Sequence, residues 1–386
     1  MLVGFLPAAG FAQSAWITGN PVAQKVTVGG DQVVVCDIAA IRGEVTIPLD
    51  EIAGELEIIP LDSKTEALVG NVNKVLVTDN HIGIISEFSE SFKLFDRKGE
   101  YVGNIGRAGG GPNEYTTISS ARIVEKESRV YIYPAYGNTP QLLVFGFDGR
   151  AYPPVKLAYY SRFTGDFDVN PDGTITVAIV PADGNTPRIW VQDKSGNVIK
   201  VLAGPVKSEG QVTGFVHTGY NMGHFDPFLS VWDSAVQDTL SWYDASGKRL
   251  VPRFTVKNMQ AVNNAPHECY ELPQHYIIIY GSIHAFEGGR GAMMDKSCII
   301  DKVSLLGANI SAVRIRDIGM LNAGVSGFSE GYYKNTMPAF KFLDFLDMQF
   351  ERGRITDPEK LKRYKALYDS ISEDDNEILI LARLKK

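Results

Sequence analysis

The 386-residue chain carries 38 basic and 45 acidic residues, which gives a formal charge of −7, and 44% of it is hydrophobic. No run approaches the roughly 20 apolar residues that a membrane-spanning helix needs, and no cluster of Lys and Arg could follow a phosphate backbone, so a membrane span and nucleic-acid binding are excluded. The 38 glycines and the 10% of aromatic residues are typical of many short strands joined by tight turns.

The first twelve residues form an apolar segment that ends in Gly10-Phe11-Ala12, with small residues at both positions before a plausible cut. We interpret residues 1–12 as a signal peptide and residues 13–44 as an N-terminal lead, which predicts a secreted or periplasmic protein. The usual basic opening is missing, so the segment is either a truncated signal or an apolar tail. No Cys follows the cut, so a lipid anchor is not predicted, and association with the outer membrane stays open.

A repeated pattern organises the chain after the lead: an alternating apolar run, an Asp with a Gly-containing turn, and a second apolar run. The alternation puts one side of each strand against a neighbour, and the Gly supplies the positive φ of a tight hairpin. The turn glycines Gly99, Gly149, Gly196 and Gly247 follow one another at intervals of 50, 47 and 51 residues. Four antiparallel strands with their turns take about 40 to 50 residues, so each copy is predicted to be the outer hairpin of a propeller blade.

Inner strands are also visible before three of these hairpins. The predicted pairs are residues 72–77 with 82–85, 121–124 with 130–133, and 167–169 with 174–179. A fifth blade is looser, and its strands lie near residues 276–280, 298–303 and 312–315 around a Gly-rich excursion at 288–291. We therefore predict an all-β fold, a six-bladed β-propeller that spans residues 45–386.

The end of the chain departs from the strand pattern. Phe340, Leu343, Leu346 and Phe350 recur at helical spacing, and a second helix is predicted to begin with Asp357 as its N-cap and Pro358 at its first position. These helices are predicted to form a short insertion at about residues 338–372 in the last blade. The final apolar strand, residues 377–384, is expected to pair with the strand-like run at 45–61 and to close the ring.

Short motifs along the chain resemble those of a known group of proteins. They are Ile47-Pro48-Leu49, Glu57-Ile58-Ile59-Pro60-Leu61, Gly70-Asn71-Val72, Phe95-Asp96, Ile105-Gly106-Arg107, Gly111-Pro112-Asn113-Glu114-Tyr115 and Glu373-Asp374-Asp375-Asn376. Together they resemble the secreted six-bladed β-propeller proteins of Gram-negative gut bacteria, relatives of the NHL-like and TolB-like propellers. The resemblance is strongest over residues 45–150 and weak over 205–335. It implies the fold and export, but no established reaction. Asn113 stands where a Gly is common.

The Gly-rich stretch at residues 106–112 is not interpreted as a phosphate-binding loop. It lacks the Gly-Lys-Ser/Thr ending of a P-loop and the strand-to-helix context of a dinucleotide site. We predict a structural crossover between the first and second blades, in which Arg107 pairs with Glu114. The residues predicted for this structural loop are Arg107, Gly111, Pro112, Glu114 and Tyr115.

Propeller ligands are expected over the axial channel, within reach of the inter-strand and inter-blade loops. His217, Tyr220 and His224 lie between the third and fourth blades, and their imidazoles and phenol suit ligand binding or acid–base chemistry. The seven-residue gap between the two histidines matches no compact metal motif. An ordinary structural role is the alternative for these residues.

Two further clusters are candidates for ligand binding. His284, Glu287 and Arg290 lie in the Gly-rich excursion, where an imidazole, a carboxylate and a guanidinium could converge on an anionic sugar or a peptide end. Arg162 follows two tyrosines at the crossing from the second blade to the third, a combination that suits carbohydrate or carboxylate ligands. A solvated bulge is the alternative for the excursion, and a plain structural role is the alternative for Arg162.

The sequence contains no Gly-x-Ser-x-Gly elbow, no His-Glu-x-x-His motif and no EF-hand loop, so no metal or cofactor is predicted. Cys36, Cys269 and Cys298 are too few for a disulfide scaffold, and Cys269 and Cys298 either pair or stay as buried thiols.

We predict an exported, monomeric binding module for a glycan fragment, a peptide or an envelope protein. One alternative is a lyase or hydrolase that acts on a carbohydrate or peptide at the channel, with His217, His224 or His284 as its base. Another is a scaffold whose helical insertion docks a membrane or envelope partner.

Overall fold

The computed structural model describes residues 14–386, except residues 87–89, 138, 182, 206–212, 233–238, 287–288, 319 and 323–326. Its strands form six small sheets that stand in a ring around one axis. The predicted all-β, six-bladed β-propeller is therefore confirmed. The predicted signal peptide at residues 1–12 lies outside the described residues.

Four strands and one short helix precede the first blade. They are β1 (Ala23–Val28), β2 (Asp31–Asp37), β3 (Glu44–Pro48), α1 (Leu49–Ile52) and β4 (Ala53–Pro60). Blades 1 to 3 then follow as regular antiparallel sheets, each built from four consecutive strands. Blade 1 contains β5 (Val72–Val77), β6 (His81–Ser86), β7 (Phe92–Asp96) and β8 (Tyr101–Ile105), and the crossing to blade 2 contains β9 (Arg107–Ala108) and β10 (Glu114–Tyr115). Blade 2 contains β11 (Thr117–Val124), β12 (Arg129–Ala135), β13 (Gln141–Gly146) and β14 (Ala151–Lys156), and blade 3 contains β15 (Gly165–Val169), β16 (Ile175–Ile179), β17 (Ile189–Gln192) and β18 (Val198–Ala203).

Blades 4 to 6 are less regular because they take in strands from the start of the chain. Blade 4 contains β19 (Thr213–Thr218), β20 (Pro227–Trp232), β21 (Thr239–Asp244) and β22 (Arg249–Lys257), and blade 5 contains β23 (His267–Glu271), β24 (His275–Phe286), β25 (Gly289–Asp301), β26 (Gly307–Ile315) and β27 (Met320–Asn322). Blade 6 contains β28 (Phe328–Ser329), β29 (Tyr332–Met337) and β30 (Ile378–Leu384), with α2 (Ala339–Glu351) and α3 (Pro358–Asp369) before β30.

Within the segment predicted as a lead, β2 pairs in parallel with β22 and carries β1 on its other side. Strand β3 pairs in parallel with β26.

The two ends of the chain share blade 6, as predicted. Strand β30 pairs antiparallel with β4, from Ile378 opposite Pro60 to Leu384 opposite Ala53. Its side chains alternate between two parts of the core: Ile380 packs with residues of blade 5 and α2, and Leu379 packs with residues of blade 1. The final strand thus stabilises both neighbouring blades because period-two alternation sends successive side chains to opposite faces.

The helices between β29 and β30 cover the core of blade 6. Asp357 caps α3 by accepting hydrogen bonds from the backbone N–H groups of Glu359 and Lys360, as predicted. Phe342 and Leu346 of α2 are fully buried in the core, and Phe340 is exposed. The buried stripe counts against a docking role for the insertion. Within the described part of the chain, no helix has both the length and the apolar character needed to cross a membrane.

The three cysteines are buried thiols. Cys269 on β23 and Cys298 on β25 both stand opposite Ile278, so strand β24 lies between them. A disulfide joins residues on directly adjacent backbones, so this arrangement leaves both as thiols.

Gly99, Gly149 and Gly196 have the predicted positive φ, but in the fourth outer hairpin Lys248 adopts it and Gly247 does not. The turn at Gly99 allows a matched test of ring closure. Gly99 has a φ of +90°, and an added Cβ would lie 2.3 Å from the carbonyl oxygen of Pro60, at the end of β4. Gly173 has a φ of +83° and open space around it. We expect Gly173→Ala to cost about 1–2 kcal/mol from backbone strain alone. Gly99→Ala should lower the free energy of unfolding by at least about 1 kcal/mol more than Gly173→Ala, because blade 1 must move away from Pro60 of β4. Urea unfolding measures both free energies, and equal costs would contradict a tight seam.

Candidate functional site

Ionisable side chains from all six blades gather around the axis of the propeller. Five lie on innermost strands and the sixth lies on β29, and we call them the axial cluster: Lys74, Arg122, Asp166, His217, Glu268 and Lys334. Their charges act on one another, since Arg122 and Lys74 influence Asp166, and Glu268 and Lys74 influence His217. Buried charges are costly unless they are paired or bind something, so this cluster is the first candidate for a functional site.

An ion pair between Arg122 and Asp166 forms the centre of the axial cluster. Arg122 Nη2 lies 2.7 Å from Asp166 Oδ1 and donates to Thr218 Oγ1 at 3.0 Å, and the Thr218 hydroxyl donates to Asp166 Oδ2 at 2.7 Å. Arg122 is 8% exposed and Asp166 is 1% exposed. Burial alone would raise the pKa of Asp166, but the positive charges of Arg122 and Lys74 hold it below its usual value. The pair is therefore ionised in the folded protein.

Tyr220, on the loop between β19 and β20, closes one side of the cluster. Its φ of +56° lies in the left-handed region, which aromatic residues rarely adopt. The backbone N–H groups of Gly219 and Tyr220 donate to Asp226 Oδ1 at 2.9 and 2.8 Å and hold this conformation. The Tyr220 ring then lies 4.5 Å from the guanidinium carbon of Arg122, within the range of a cation–π contact.

The same loop reaches across the ring to blade 6. The backbone N–H of Glu330 donates to the carbonyl of Gly219 at 2.6 Å. Asn221 donates to the carbonyl of Phe328 at 3.1 Å and accepts from the N–H of Gly331 at 3.2 Å. The loop is thus held by Asp226 and by blade 6, and these contacts fix the position of Tyr220 beside the axis.

A cavity of about 390 Å³ opens where the innermost strands β5, β11 and β15 end. Its polar wall contains Arg122, Glu125, Lys126, Asp168, Tyr220 and Glu330, and apolar residues such as Ile123 and Val169 complete it. The volume falls within the roughly 300–1,000 Å³ typical of small-molecule sites. Arg122 Nε is buried here without a hydrogen-bond partner among the described residues. The Tyr220 hydroxyl is buried beside Arg122 and Asp168, and its interaction with Asp168 lowers the pKa of that carboxyl. The cavity wall therefore presents two buried donors, of which Arg122 Nε lacks an acceptor.

Two of the cavity acids are already engaged. Glu125 accepts from the Thr78 hydroxyl and lies 3.0 Å from Nδ1 of His81. Glu330 accepts from Lys334 Nζ at 2.6 Å and from the N–H of Val77 at 2.7 Å. Both carboxylates are therefore hydrogen-bonded, and Lys334 supplies Glu330 with a counter-charge.

Asp168 differs from these two acids. Burial raises its pKa although Arg122 acts in the opposite direction. Its carboxyl group is thus the one on this wall that is closest to changing its protonation state.

The structure places the predicted residues of the third-to-fourth blade segment at different points. Tyr220 lines the axial cavity. The His217 ring stacks on Tyr270 at 4.8 Å, its Nδ1 lies 3.7 Å from Glu268, and a hydrogen bond with the backbone of Cys269 also acts on its pKa. Burial lowers the pKa of His217, so the ring is neutral. His224 packs on Trp242 at 4.2 Å, away from the axis.

The remaining predicted ligand-binding residues do not line the axial cavity. Arg162 is exposed before β15 begins, at the opposite end of that strand from the cavity, and its carbonyl accepts from the N–H of Tyr136 at 2.6 Å. His284 is exposed on the long β24–β25 hairpin, and Arg290 is paired with Ala285 in the same hairpin. Glu287 lies outside the described residues.

The Gly-rich crossover between blades 1 and 2 has an ordered structure. Arg107 and Glu114 face each other as parallel strand partners in β9 and β10, and the Glu114 carboxylate accepts from the N–H of Gly111 at 2.8 Å. The Tyr115 hydroxyl accepts from the N–H of Phe92 at 2.8 Å and donates to the carbonyl of Ile105. Pro112 lies in the same turn. These contacts tie the crossover to blade 1, and none of these residues lines the axial cavity.

Arg122, Asp166 and Asp168 escape prediction from the sequence because they lie inside strands, where side chains are expected to serve packing. The available signal is charge within otherwise apolar runs, as in Ala121-Arg122-Ile123-Val124 and Asp166-Phe167-Asp168-Val169. Such interruptions of an innermost strand mark positions at the axis.

Comparison with known proteins supports the fold and identifies the family. A solved structure from Bacteroides fragilis NCTC 9343, described as a "putative exported protein", is 16% identical, covers 90% of this chain and 99% of its own, and has a TM-score of 0.58. A DUF4221 member from Bacteroides vulgatus ATCC 8482 is 11% identical over 86% of this chain and 97% of its own, with a TM-score of 0.40. At these identities only the fold is shown, and only by the first structure.

No curated protein matches the chain. The family DUF4934, described as "Domain of unknown function (DUF4934)", matches residues 33–260, which is more than half of the chain. The chain therefore belongs to the DUF4934 family.

Proposed function

We propose that this protein is an exported binding protein whose axial cavity holds a small ligand with a carboxylate group. The observation that supports it most is a buried donor without an acceptor, Arg122 Nε, which lies next to the Tyr220 hydroxyl on the cavity wall. A buried donor left unsatisfied costs about 1–3 kcal/mol. A carboxylate is the acceptor that a guanidinium binds most strongly, so a ligand with this group would remove the cost.

The charges around the cavity agree with an acidic ligand. Lys126 is exposed at the cavity and adds a positive charge, Glu330 is paired with Lys334, and Glu125 is hydrogen-bonded to Thr78 and His81. Burial raises the pKa of Asp168, so this carboxyl ionises less readily than that of an exposed aspartate. Acidic glycan fragments and peptide C-termini both present the required group, and they are the two ligand sources that the proposal includes.

Export is the second part of the proposal. It is supported by the apolar segment at residues 1–12 and by the description of the Bacteroides fragilis structure as a "putative exported protein". The motif resemblance to NHL-like and TolB-like propellers of secreted proteins agrees with it. N-terminal sequencing of protein recovered from the periplasm and the culture medium tests this part, and a cytoplasmic protein that retains residues 1–12 would contradict it.

Binding is tested best with ligand pairs that differ only in the carboxylate. Galacturonate and galactose form one pair, and a dipeptide with a free or an amidated C-terminus forms the other. We expect an acidic member to raise the melting temperature of the protein and its neutral counterpart to leave it unchanged. Tyr220→Phe removes one donor to a charged group, so it should weaken binding by about 10- to 100-fold without lowering the stability of the free protein.

Tyr136→Phe is the matched control, because Tyr136 also has a left-handed backbone, with a φ of +58°, and does not line the cavity. It should bind the acidic ligand as the unmodified protein does. Failure of every acidic ligand, or equal binding by Tyr220→Phe and the unmodified protein, would overturn the proposed site.

A lyase or hydrolase is the second candidate function, and the buried imidazole of His217 beside Glu268 favours it. A neutral imidazole beside Glu268 on an innermost strand is a suitable general base. Mass spectrometry of acidic oligosaccharides and peptides after incubation with the protein separates the two functions. Product formation that is lost in His217→Gln would favour the enzyme, and binding without turnover would favour the binding protein.

A further inference from the structure

A second cavity, of about 470 Å³, lies away from the axis, where residues 14–16 meet the connection between β3 and β4 and part of blade 5. We call it the Trp16 cleft. Its wall contains Trp16, Pro48, Glu51, Gln274, Arg314 and Arg316, none of which lines the axial cavity. The cleft is larger than the axial cavity, and its volume is typical of ligand sites.

Trp16 is held in the cleft by a buried polar anchor. A hydrogen bond of 2.7 Å links the Ser14 hydroxyl to Nε2 of His275, and the Ser14 N–H donates to Asp301 Oδ2 at 3.1 Å. His275 and Asp301 are each 1% exposed, and the Trp16 ring lies 5.4 Å from the His275 ring. The indole is thus positioned by a fixed segment and not by a free chain end.

Ser14, His275 and Asp301 do not form a catalytic triad, although the residue types match one. A triad needs the acid on one imidazole nitrogen and the serine on the other. Here Asp301 Oδ2 lies 3.8 Å from Nε2 of His275, the same nitrogen that contacts Ser14. Burial lowers the pKa of His275 to about 4, so the ring is neutral at physiological pH. The three residues serve as the anchor that places Trp16.

The polar groups of the cleft include both donors and acceptors. Arg314 and Arg316 supply donors, Glu51 supplies acceptors, and Gln274 supplies both. The wall holds two guanidinium groups and one carboxylate, and Asp50, which does not line the cleft, offsets Arg316 through an ion pair at 3.0 Å. With Asp50 counted, the charges around the cleft balance, and the mixed donors and acceptors suit a ligand with many hydroxyl groups, each of which both donates and accepts.

We propose that the Trp16 cleft binds a neutral saccharide, with Trp16 against the apolar face of a sugar ring and Arg314, Gln274 and Glu51 as hydrogen-bonding partners of its hydroxyls. A pyranose ring has one C–H-rich face and a polar rim, and an indole beside mixed donors and acceptors complements both. This proposal is independent of the axial site, because the two cavities share no residue and require ligands of different charge.

Gel electrophoresis of the full chain through soluble neutral polysaccharides tests the proposal. The panel contains a mixed-linkage β-glucan, an arabinoxylan, a galactomannan and soluble starch, and polygalacturonate is the acidic counterpart. We expect at least one neutral polysaccharide to retard the unmodified protein. Trp16→Ala should raise the dissociation constant by at least about tenfold, and Trp16→Tyr should restore part of the binding because it keeps an aromatic face.

Arg314→Gln is a second variant, which keeps the test valid if Trp16→Ala does not fold. Arg314 is exposed, and its replacement leaves the Ser14 anchor in place. It should also weaken the retardation. Phe340→Ala is the matched control, because Phe340 is a 46% exposed aromatic residue on α2 that does not line the cleft, and it should migrate as the unmodified protein does.

Retardation by a neutral polysaccharide that Trp16→Ala and Arg314→Gln both reduce would support the proposal. No retardation by any neutral polysaccharide, or equal retardation of both variants and the unmodified protein, would overturn it. Retardation by polygalacturonate alone, lost in Tyr220→Phe, would also overturn it and would at the same time support the axial site.

Discussion

Asp166→Ala is expected to lower the free energy of unfolding by about 3 to 5 kcal/mol, because it leaves the Arg122 guanidinium buried without its counter-charge. Arg122 is 8% exposed, and its Nη2 contacts only Asp166 and Thr218 among the described side chains. The remaining Thr218 hydroxyl is neutral and does not replace a carboxylate. Urea unfolding at pH 7 measures the change.

Two further variants separate the buried pair from ion pairs in general. Asp31→Ala breaks the pair with Arg249, whose side chain is 49% exposed, and it should change the stability much less than Asp166→Ala does, because solvent screens an exposed pair. The double variant Arg122→Met with Asp166→Leu should recover most of the loss, because apolar side chains of similar volume need no counter-charge. A cost for Asp166→Ala no larger than that for Asp31→Ala would show that the axial pair is solvated and would weaken the case for a dry axial site.

Asp226→Asn is expected to make the protein more stable at pH 8 by up to about 4 kcal/mol and to have little effect near pH 4. Burial, with a contribution from the charge of Glu271, raises the pKa of Asp226 from 3.8 to about 7. Between these values the folded state holds a proton that the unfolded state has lost, so the stability of the unmodified protein falls as pH rises through this window. At about 1.4 kcal/mol per pH unit, the fall amounts to about 4 kcal/mol.

Asparagine removes this dependence because it stays neutral and keeps the Oδ1 acceptor for the N–H groups of Gly219 and Tyr220. Urea unfolding of both proteins from pH 4.5 to pH 8 gives the difference directly. Asp172→Asn is the control, because Asp172 is an exposed turn residue whose pKa is lowered by its hydrogen bonds to Thr174, so it should show no gain as pH rises. A difference between Asp226→Asn and the unmodified protein that is constant with pH would contradict the prediction.

Asp226 also links stability to the candidate site. It fixes the left-handed backbone of Tyr220, which forms one wall of the axial cavity. Asp226, whose pKa lies near neutrality, is therefore hydrogen-bonded to the backbone of Tyr220, the residue that the proposed ligand contacts. If Asp226→Asn keeps ligand binding while it gains stability, the negative charge serves neither binding nor folding, and the hydrogen-bond geometry alone positions Tyr220.

The sequence by itself determined the architecture, because the signals for it are local and repeated. Each outer hairpin is indicated by an Asp and a Gly at its turn. The start of α3 is indicated by Asp357 and Pro358, which lie in the first turn of that helix. The pairing of β4 with β30 could also be inferred, since a ring of blades leaves both as unpaired strands unless they meet.

Only the tertiary structure decided where the chemistry lies. Lys74, Arg122 and Asp166 come from three blades, about 45 to 50 residues apart, and nothing in a single strand shows which of its residues faces the axis. The parallel pairing of β2 with β22 and the reach of Asn221 to blade 6 also join segments far apart in sequence. The physical reason is that strand formation depends on alternation within a few residues, whereas a buried ion pair or a cavity depends on which distant side chains the closed ring brings within a few ångströms of one another.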